Sequence, residues 1–207
     1  MNFWDARYKE PGAAYGTDPN DFLRTSAQAL RRGRVLSLCE GEGRNAVFLA
    51  QLGHDVVAVD GSAVGLQNAE KLAARRGVRI HTILADMADF AIQPNSWDGI
   101  ILIFAHLPPA IRHRIHQSAA AGLRQGGALL FEAYHNRQLQ YGTGGPKNPE
   151  LLVTLKETMD EFFPLEFLIA REVDRDIHEG AFHQGWGSVV QIVARWGYEI
   201  SGPHQGG

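Results

Sequence analysis

The chain has 207 residues, of which 44% are hydrophobic and 21% are charged, and its formal net charge is -3. This composition predicts one domain with a sizeable core and excludes disorder for most of the chain. The small net charge argues against nucleic-acid and anionic-membrane partners, and the single cysteine, Cys39, excludes a disulfide framework and a cysteine-rich zinc site. No secretory signal opens the sequence, so we expect a cytoplasmic protein.

Strand-like and helix-like segments alternate through the first two thirds of the chain. Asp18-Pro19 predicts the start of a helix that Gly33 ends. Apolar runs then predict strands over 35–38, 55–59, 78–84, 98–104 and 128–134, with helices over 45–52, 62–77 and 108–123 between them. This alternation predicts an α/β fold with a parallel sheet covered by helices on both faces.

The alternation of strands and helices does not continue in the last third of the chain. Asn148-Pro149 predicts the start of a helix that continues to Phe162. Strand-like runs over 167–175 and 188–195 follow, and the glycine-rich stretch between them predicts a long connection. Two strands without a helix between them predict an antiparallel pair at the edge of the sheet.

A glycine-rich turn follows the first strand, and an acid ends the second. Glu40-Gly41-Glu42-Gly43 leads into the helix that contains Asn45, and Asp60-Gly61 comes 17 residues after Gly43. Glycine lets the backbone approach a ligand closely, and a carboxylate at a strand end can accept hydrogen bonds from both ribose hydroxyls. This pair predicts a nucleoside-containing cofactor. The alternative is a tight turn beside a surface aspartate.

Two acids inside the turn, Glu40 and Glu42, bear on which cofactor binds there. Their like charge would repel a pyrophosphate, which disfavours NAD. They suit S-adenosylmethionine, which has a ribose, an ammonium and a sulfonium but no phosphate. After the third strand, Asp86 can accept from an adenine amino group and Met87 can pack on the ring, although Asp86 also suits a capping role.

Several segments together resemble the motif series of class I S-adenosylmethionine-dependent methyltransferases: 35–46, Asp60, Asp86 and the Gly126-Gly127 turn. The opening segments, 3–8 and 15–22, are similar to the branch related to thiopurine and tellurite-resistance methyltransferases. The closing segments, 179–185 and 189–195, resemble small bacterial members. The resemblance implies a Rossmann-like three-layer sandwich whose seven-stranded, mostly parallel sheet ends in an antiparallel hairpin.

The first motif departs from the family pattern at two positions. Ser37 stands where the family usually has an acid, and Cys39 stands where it has the first glycine, whereas Gly41 and Gly43 match. The usual acid helps to order the turn, so Glu40 is a candidate to replace it. The resemblance also implies that the N-terminal segment covers the cofactor, with Trp4 and Tyr15 facing the sulfonium.

Candidate acceptor-side residues follow the later strands, where ligands bind in such sheets. Phe104 and His106 follow the fourth strand, Tyr134 ends the fifth, and His183 lies in the last connection. We expect Phe104 to contact the cofactor. His106, Tyr134 and His183 are the candidate catalytic residues, with hydrogen bonding or packing as their alternative roles. No metal site is expected, because His113 and His116 have no third ligand and suit a solvated helix face.

These observations predict one methyltransferase domain over 1–201, followed by a tail over 202–207. Within it we expect a lid segment and helix over 1–33, a cofactor-binding core over 34–135 and a substrate-side region over 136–201. The expected reaction transfers a methyl group from S-adenosylmethionine to a small soft acceptor, such as a thiol or a reduced chalcogen, and leaves S-adenosylhomocysteine. The alternatives are an NAD-dependent oxidoreductase and a non-catalytic S-adenosylmethionine-binding module. A monomer is favoured.

Overall fold

The computed structural model describes residues 3–10 and 12–197. Its strands are β1 (Arg34–Leu38), β2 (Asp55–Asp60), β3 (His81–Leu84), β4 (Trp97–Ile103), β5 (Leu123–Tyr134), β6 (Glu166–Glu179) and β7 (His183–Arg195). They form one sheet in the order β3-β2-β1-β4-β5-β7-β6. Strands β1 to β5 run parallel, whereas β7 is antiparallel to both β5 and β6. The predicted Rossmann-like sheet with a C-terminal antiparallel hairpin is confirmed.

Helices cover both faces of this sheet. They are α1 (Phe3–Tyr8), α2 (Asp21–Ser26), α3 (Arg44–Gln51), α4 (Ala63–Arg75), α5 (Pro109–Gly122) and α6 (Leu155–Glu161). Leu23 of α2 and Leu49 of α3 belong to the core on one face, and Ile115 of α5 belongs to the core on the other. Because β1 lies between β2 and β4, the strand order reverses there. Such a switch point opens a crevice at the carboxyl ends of the strands.

The helix predicted to start at Asp18-Pro19 starts later, so that prediction is wrong. Asn20 is the N-cap of α2, and its side chain accepts a hydrogen bond from the Leu23 N–H at 2.9 Å. The side-chain Nδ2 of Asn20 also donates to the carboxylates of Glu132 and Glu179, which are distant in sequence. This buried anchor, which local pattern does not reveal, sets the helix start.

The connection predicted over 176–187 is mostly strand. Strands β6 and β7 continue pairing to Glu179 and His183, so only residues 180–182 turn. The glycines at 185 and 187 obscured the strand pattern, because glycine has a low strand propensity. The long hairpin therefore carries His183 to its tip.

Three further predictions need correction. The helix expected from Pro149 is interrupted, because Val153 pairs with the end of β5 through a hydrogen bond to the Tyr134 carbonyl. Strand β3 begins at His81 rather than residue 78. His116 is fully buried against Glu161 and Phe162, not on a solvated helix face.

No helix within residues 3–10 and 12–197 is long and apolar enough to cross a membrane. The division of the domain at residues 33 and 135 stays a prediction, and the predicted tail over 202–207 lies outside the described residues.

Candidate active site

A cavity of about 680 Å³ opens at the carboxyl ends of β1, β2 and β4. Of the predicted site residues, thirteen line it: Trp4, Tyr15, Glu40, Gly41, Glu42, Asn45, Asp60, Gly61, Asp86, Met87, Phe104, His106 and His183. Gly43 and Tyr134 are not on its wall. Tyr8, Arg44, Leu107 and Ile111 line it although the sequence analysis did not single them out.

The two glycines of the turn make room for neighbouring helices. Gly41 has φ +64°, and a Cβ added there would lie 2.6 Å from the Tyr8 hydroxyl of α1. Gly43 has φ +87°, and a Cβ there would lie 2.5 Å from the Cβ of Ala69 on α4. Left-handed backbone and close packing both require glycine at these positions. Gly43 thus lies against α4, behind the cavity wall.

Glu40 is tied to the start of α3. One of its oxygens accepts from the backbone N–H groups of Asn45 at 3.0 Å and Ala46 at 2.9 Å, and the other accepts from the Ser37 hydroxyl. Burial raises the pKa of the Glu40 carboxyl, and these hydrogen bonds oppose that shift. Glu40 therefore orders the turn, as expected of a replacement for the missing motif acid.

Glu42 and Asn45 hold the N-terminal segment, residues 3–10 and 12–20, over the turn. Glu42 accepts from the Ala14 N–H at 2.7 Å and from the Asn68 side chain at 3.1 Å. Asn45 accepts from the Asn20 N–H at 2.9 Å. We call residues 3–10 and 12–20 the lid. The predicted contacts of Glu40, Glu42 and Asn45 with the cofactor stay predictions, because each of these side chains already has protein partners.

Asp60 ends β2 at the edge of the cavity. Its carboxylate accepts from the Gly41 N–H at 2.9 Å and the Ser62 N–H at 2.8 Å. Burial raises the pKa of Asp60, and these two hydrogen bonds oppose that shift. Each oxygen retains a further lone pair for a ligand hydroxyl. The neighbouring Gly61 leaves space, since an added Cβ would meet only the Ala85 carbonyl at 3.7 Å.

Asp86 and Met87 form the wall next to Asp60. Asp86 accepts from the Ala88 N–H at 2.8 Å, a local turn contact that matches its alternative capping role. Met87 is buried, and its carbonyl accepts from Arg114. A soft, apolar side chain in this place suits the face of a flat ring.

Aromatic rings of the lid cover the same end of the cavity. Trp4 stacks on Tyr8 with ring centroids 5.9 Å apart, and the Tyr8 ring lies 6.4 Å from Tyr15. The carboxylate of Asp5 accepts from the Ser62 hydroxyl at 2.6 Å, which fixes α1 to the start of α4. The lid therefore lines this part of the cavity with the aromatic residues Trp4, Tyr8 and Tyr15.

A second group of rings, those of Tyr15, Phe104, His106 and His183, closes the other end of the cavity, which we call the far end. The His183 ring lies 4.6 Å from Tyr15 and 4.6 Å from Phe104, measured between centroids. Tyr134 lies behind them, 4.8 Å from Phe104 and nearly parallel to His106 at 5.8 Å. The structure thus brings Phe104, His106 and His183 together on the wall and places Tyr134 beneath it.

A buried ionic network supports this far end. The guanidinium of Arg44 donates to Glu179 at 2.6 Å, and Arg175 bridges Glu179 and Glu132. The only sequence signal for it is Glu132, a carboxylate within an otherwise apolar strand. Because both carboxylates are buried, removing one cation would leave a buried charge without its partner.

The charged residues on the cavity wall indicate which cofactor fits the site. Among the described lining residues, the ordinarily ionised side chains are the carboxylates of Glu40, Glu42, Asp60 and Asp86 and the guanidinium of Arg44. This excess of carboxylates disfavours a pyrophosphate. It suits a cofactor with a cationic ammonium and sulfonium, and the volume accommodates a nucleoside with an amino-acid tail. The residues present therefore fit S-adenosylmethionine.

Comparison with known proteins agrees with this assignment. The sequence model of a family described as a methyltransferase domain matches residues 35–127. The 2-heptyl-1-hydroxyquinolin-4(1H)-one methyltransferase of Mycobacteroides abscessus is 26% identical over 162 residues, which cover 74% of this chain and 71% of that protein.

Solved structures show the same fold. One, described with the conversion of a disulfide bond into a thioacetal group during echinomycin biosynthesis, has a TM-score of 0.75 at 17% identity and covers 96% of this chain and 92% of its own. An S-adenosylmethionine-dependent methyltransferase of Methanosarcina mazei has a TM-score of 0.67 at 15% identity, over 88% of this chain and 100% of its own.

These matches favour a methyltransferase over the NAD-dependent oxidoreductase alternative, and S-adenosylmethionine is the cofactor of this site. The branch related to thiopurine and tellurite-resistance methyltransferases stays a prediction. Together with the seven-stranded fold and the cavity at its switch point, the matching methyltransferase domain and the methyltransferase relatives support a class I S-adenosylmethionine-dependent methyltransferase.

Proposed function

We propose that this enzyme methylates a small, soft nucleophile, of which a thiol or a reduced chalcogen is the favoured type. The observation that carries the proposal is the wall at the far end of the cavity, where Phe104, His106, Tyr15 and His183 meet. These rings offer a polarisable, largely apolar surface. Sulfur and selenium are large and weakly hydrated, so a thiol or its anion loses less hydration on entering such a surface than a charged amine or an alcohol does.

The cofactor supplies an electrophilic methyl group on a positively charged sulfur. In the proposed arrangement, Asp60 accepts from the ribose hydroxyls and Met87 packs on the adenine ring. Trp4 and Tyr15 turn their faces toward the sulfonium, where cation–π attraction holds it in place. The lid excludes water from the reacting atoms, which strengthens electrostatic interactions inside the cavity.

Orientation supplies the other part of the proposed catalysis. Transfer of a methyl group requires the nucleophile, the carbon and the sulfur to be nearly collinear. The Phe104 backbone is held in the left-handed region, φ +53°, with its N–H donating to the Glu132 carbonyl at 2.7 Å. This fixed backbone directs the ring into the cavity, where it limits the directions from which an acceptor approaches.

A hydroxylated heteroaromatic compound is the second candidate acceptor. The relative from Mycobacteroides abscessus is named for a hydroxyquinolone. The nearly parallel rings of His106 and Tyr134, 14° apart, back a flat surface beside Phe104. A planar bicyclic acceptor would pack on that surface through offset stacking.

Turnover with a panel of acceptors tests both candidates. The purified protein is incubated with S-adenosylmethionine and an aromatic thiol, an alkyl thiol, selenide, an N-hydroxyquinolone, an alkyl alcohol or an alkylamine, and S-adenosylhomocysteine is quantified. The proposal predicts the highest kcat/KM for the thiols or selenide. Preference for the quinolone would favour the second candidate. Cofactor binding without turnover of any compound would contradict both and favour the non-catalytic binding module.

A further inference from the structure

Among the described residues that line the far end of the cavity, none has a carboxylate that could accept a proton. Within the described part of the wall, the carboxylates are those of Glu40, Glu42, Asp60 and Asp86, which lie at the glycine turn and the ends of β2 and β3. Each of them accepts hydrogen bonds from the protein. The groups beside the acceptor are instead the rings of Tyr15, Phe104, His106 and His183. A neutral acceptor that loses a proton would need one of these rings as its base.

His183 is a weak base. Burial lowers the pKa of His183 to about 2, and the charges of Arg44, Arg175 and Arg7 and the neighbouring His106 act in the same direction. Arg44 and Arg175 are themselves paired with Glu179. Other ionisable groups packed around it belong to the neighbouring strands and the lid: Tyr15, Tyr134, Glu132 and Glu179. Burial lowers the pKa of His106 to about 4 and raises the pKa values of Tyr15 and Tyr134. Both imidazoles are therefore neutral at pH 7, and both are weak bases.

The geometry of His183 suits a hydrogen-bond donor. The residue is only 6% exposed, and its Nδ1 is buried without a hydrogen-bond partner. A neutral imidazole carries one N–H, and with that proton on Nε2 only a lone pair occupies the sealed position. The ring then offers an N–H donor to a ligand at the wall. The hairpin tip that carries this ring is held against the lid, because the Ala181 N–H donates to the Ala14 carbonyl at 3.0 Å.

We propose that the methyl acceptor enters this site already ionised, as a small thiolate or aromatic oxyanion, and that His183 holds the anionic atom by a hydrogen bond instead of removing a proton. The inference deepens the proposed function and rests on it. The lone pair of the anion forms the bond to the methyl carbon as the carbon–sulfur bond breaks, and that electron pair stays on sulfur. The anion becomes a neutral methylated product and the sulfonium becomes the neutral thioether of S-adenosylhomocysteine, so no proton is transferred.

A single guanidinium on the cavity wall, that of Arg44, favours this form of the acceptor. A cation near an acid group stabilises the ionised form and lowers its pKa. Arg44 lies on the cavity wall, and its Nη1 is buried without a hydrogen-bond partner, so Glu179 does not use all the N–H groups of this guanidinium. Arg44 opposes the effect of burial on the pKa of Tyr15, and its charge acts in the same direction on an acidic S–H or O–H beside it.

A chromophoric acceptor analogue measures the ionisation directly and without turnover. 4-Nitrophenol, whose anion absorbs in the visible range, is titrated with pH in the presence of protein saturated with S-adenosylhomocysteine. We expect the pKa of the bound probe to fall by about one unit or more relative to water. His183→Ala should reverse much of that shift, while His178→Ala, at an exposed histidine of the same hairpin, should leave it unchanged. A bound probe with an unchanged or raised pKa would overturn the inference.

A series of thiophenols with different acidities provides the kinetic test. The pH midpoint of kcat/KM should follow the pKa of each thiophenol in the wild type, and it should stay with that thiophenol in His183→Gln, which retains an N–H donor. One midpoint shared by all thiophenols would reveal a protein base and overturn this inference alone. No methylation of any thiophenol at any pH, with S-adenosylmethionine bound, would overturn the proposed function and this inference with it.

Discussion

The ring of Tyr15, in the lid, lies 4.6 Å from the ring of His183, at the tip of the β6–β7 hairpin. Both rings line the cavity, so one contact joins the segment that covers the cofactor to the strand that borders the acceptor. The arrangement of the far wall therefore depends on the position of the lid. We expect changes at this junction to affect both halves of the site.

Gly180→Ala tests that junction. Gly180 has φ +70°, and an added Cβ would collide with the backbone of Tyr15 and Gly16. Gly77 has nearly the same backbone, φ +71°, and nothing within 4 Å of an added Cβ, so Gly77→Ala is the matched control. Left-handed strain costs each variant about 1–2 kcal/mol. Only Gly180→Ala should also weaken S-adenosylhomocysteine binding by calorimetry. Equal affinities in the two variants would contradict the junction.

Asp60→Ala should weaken binding of S-adenosylhomocysteine about 10- to 100-fold, because the variant loses charge-assisted hydrogen bonds to the ribose. The control is Asp55→Ala, at the exposed start of the same strand, which should leave affinity unchanged. Calorimetric titration measures both. Wild-type affinity in a folded Asp60→Ala protein would show that the ribose binds elsewhere.

Glu40 should be more sensitive to truncation than to loss of charge. Glu40→Gln retains an oxygen for the N–H groups of Asn45 and Ala46 and a donor toward Ser37, whereas Glu40→Ala leaves these groups unpaired. We expect Glu40→Ala to lower the free energy of unfolding by about 2–3 kcal/mol and Glu40→Gln by less than about 1 kcal/mol. Urea unfolding of the two variants decides this. Equal losses would mean that the negative charge is the essential property.

His116 should make the protein less stable in mild acid. Burial lowers the pKa of His116 below its ordinary value of 6.5, so the unfolded chain binds a proton more readily than the folded protein. Stability should therefore fall as pH decreases below about 6.5. Urea unfolding at pH 7, 6 and 5 should show a smaller fall in His116→Gln, whereas His113→Gln, at an exposed position of the same helix, should keep the wild-type slope.

Glu161, which contacts His116, should affect the stability of the protein at lower pH. Burial by itself would raise the pKa of Glu161, but hydrogen bonds from His116 and Arg112 outweigh it and hold that pKa below its ordinary value of 4.5. The stability it contributes is present above pH 4.5 and is lost as pH falls further. Glu161→Gln should therefore flatten the pH dependence of unfolding below pH 4.5. An unchanged slope would show that the carboxylate is not stabilised in the folded protein.

The order of strands and helices, the glycine turn and the acid at the end of β2 could all be predicted from the sequence. These features depend on neighbours a few residues apart: apolar runs form strands, Ser62 caps α4, and Asp60 is the last residue of its strand. Local periodicity and strand-end position are sufficient for such features, because the parallel sheet brings the strand ends to one edge.

The partners of the polar residues, by contrast, are visible only in the folded protein. Arg44 meets Glu179, and Glu42 meets Ala14, across 135 and 28 residues. The sequence showed the acids of the turn but not their partners, since a buried charge is satisfied by whichever group the fold brings near. The hairpin that carries His183 was hidden by its own glycines. Its position beside Tyr15 follows from strand pairing and lid packing, which are set by contacts distant in sequence.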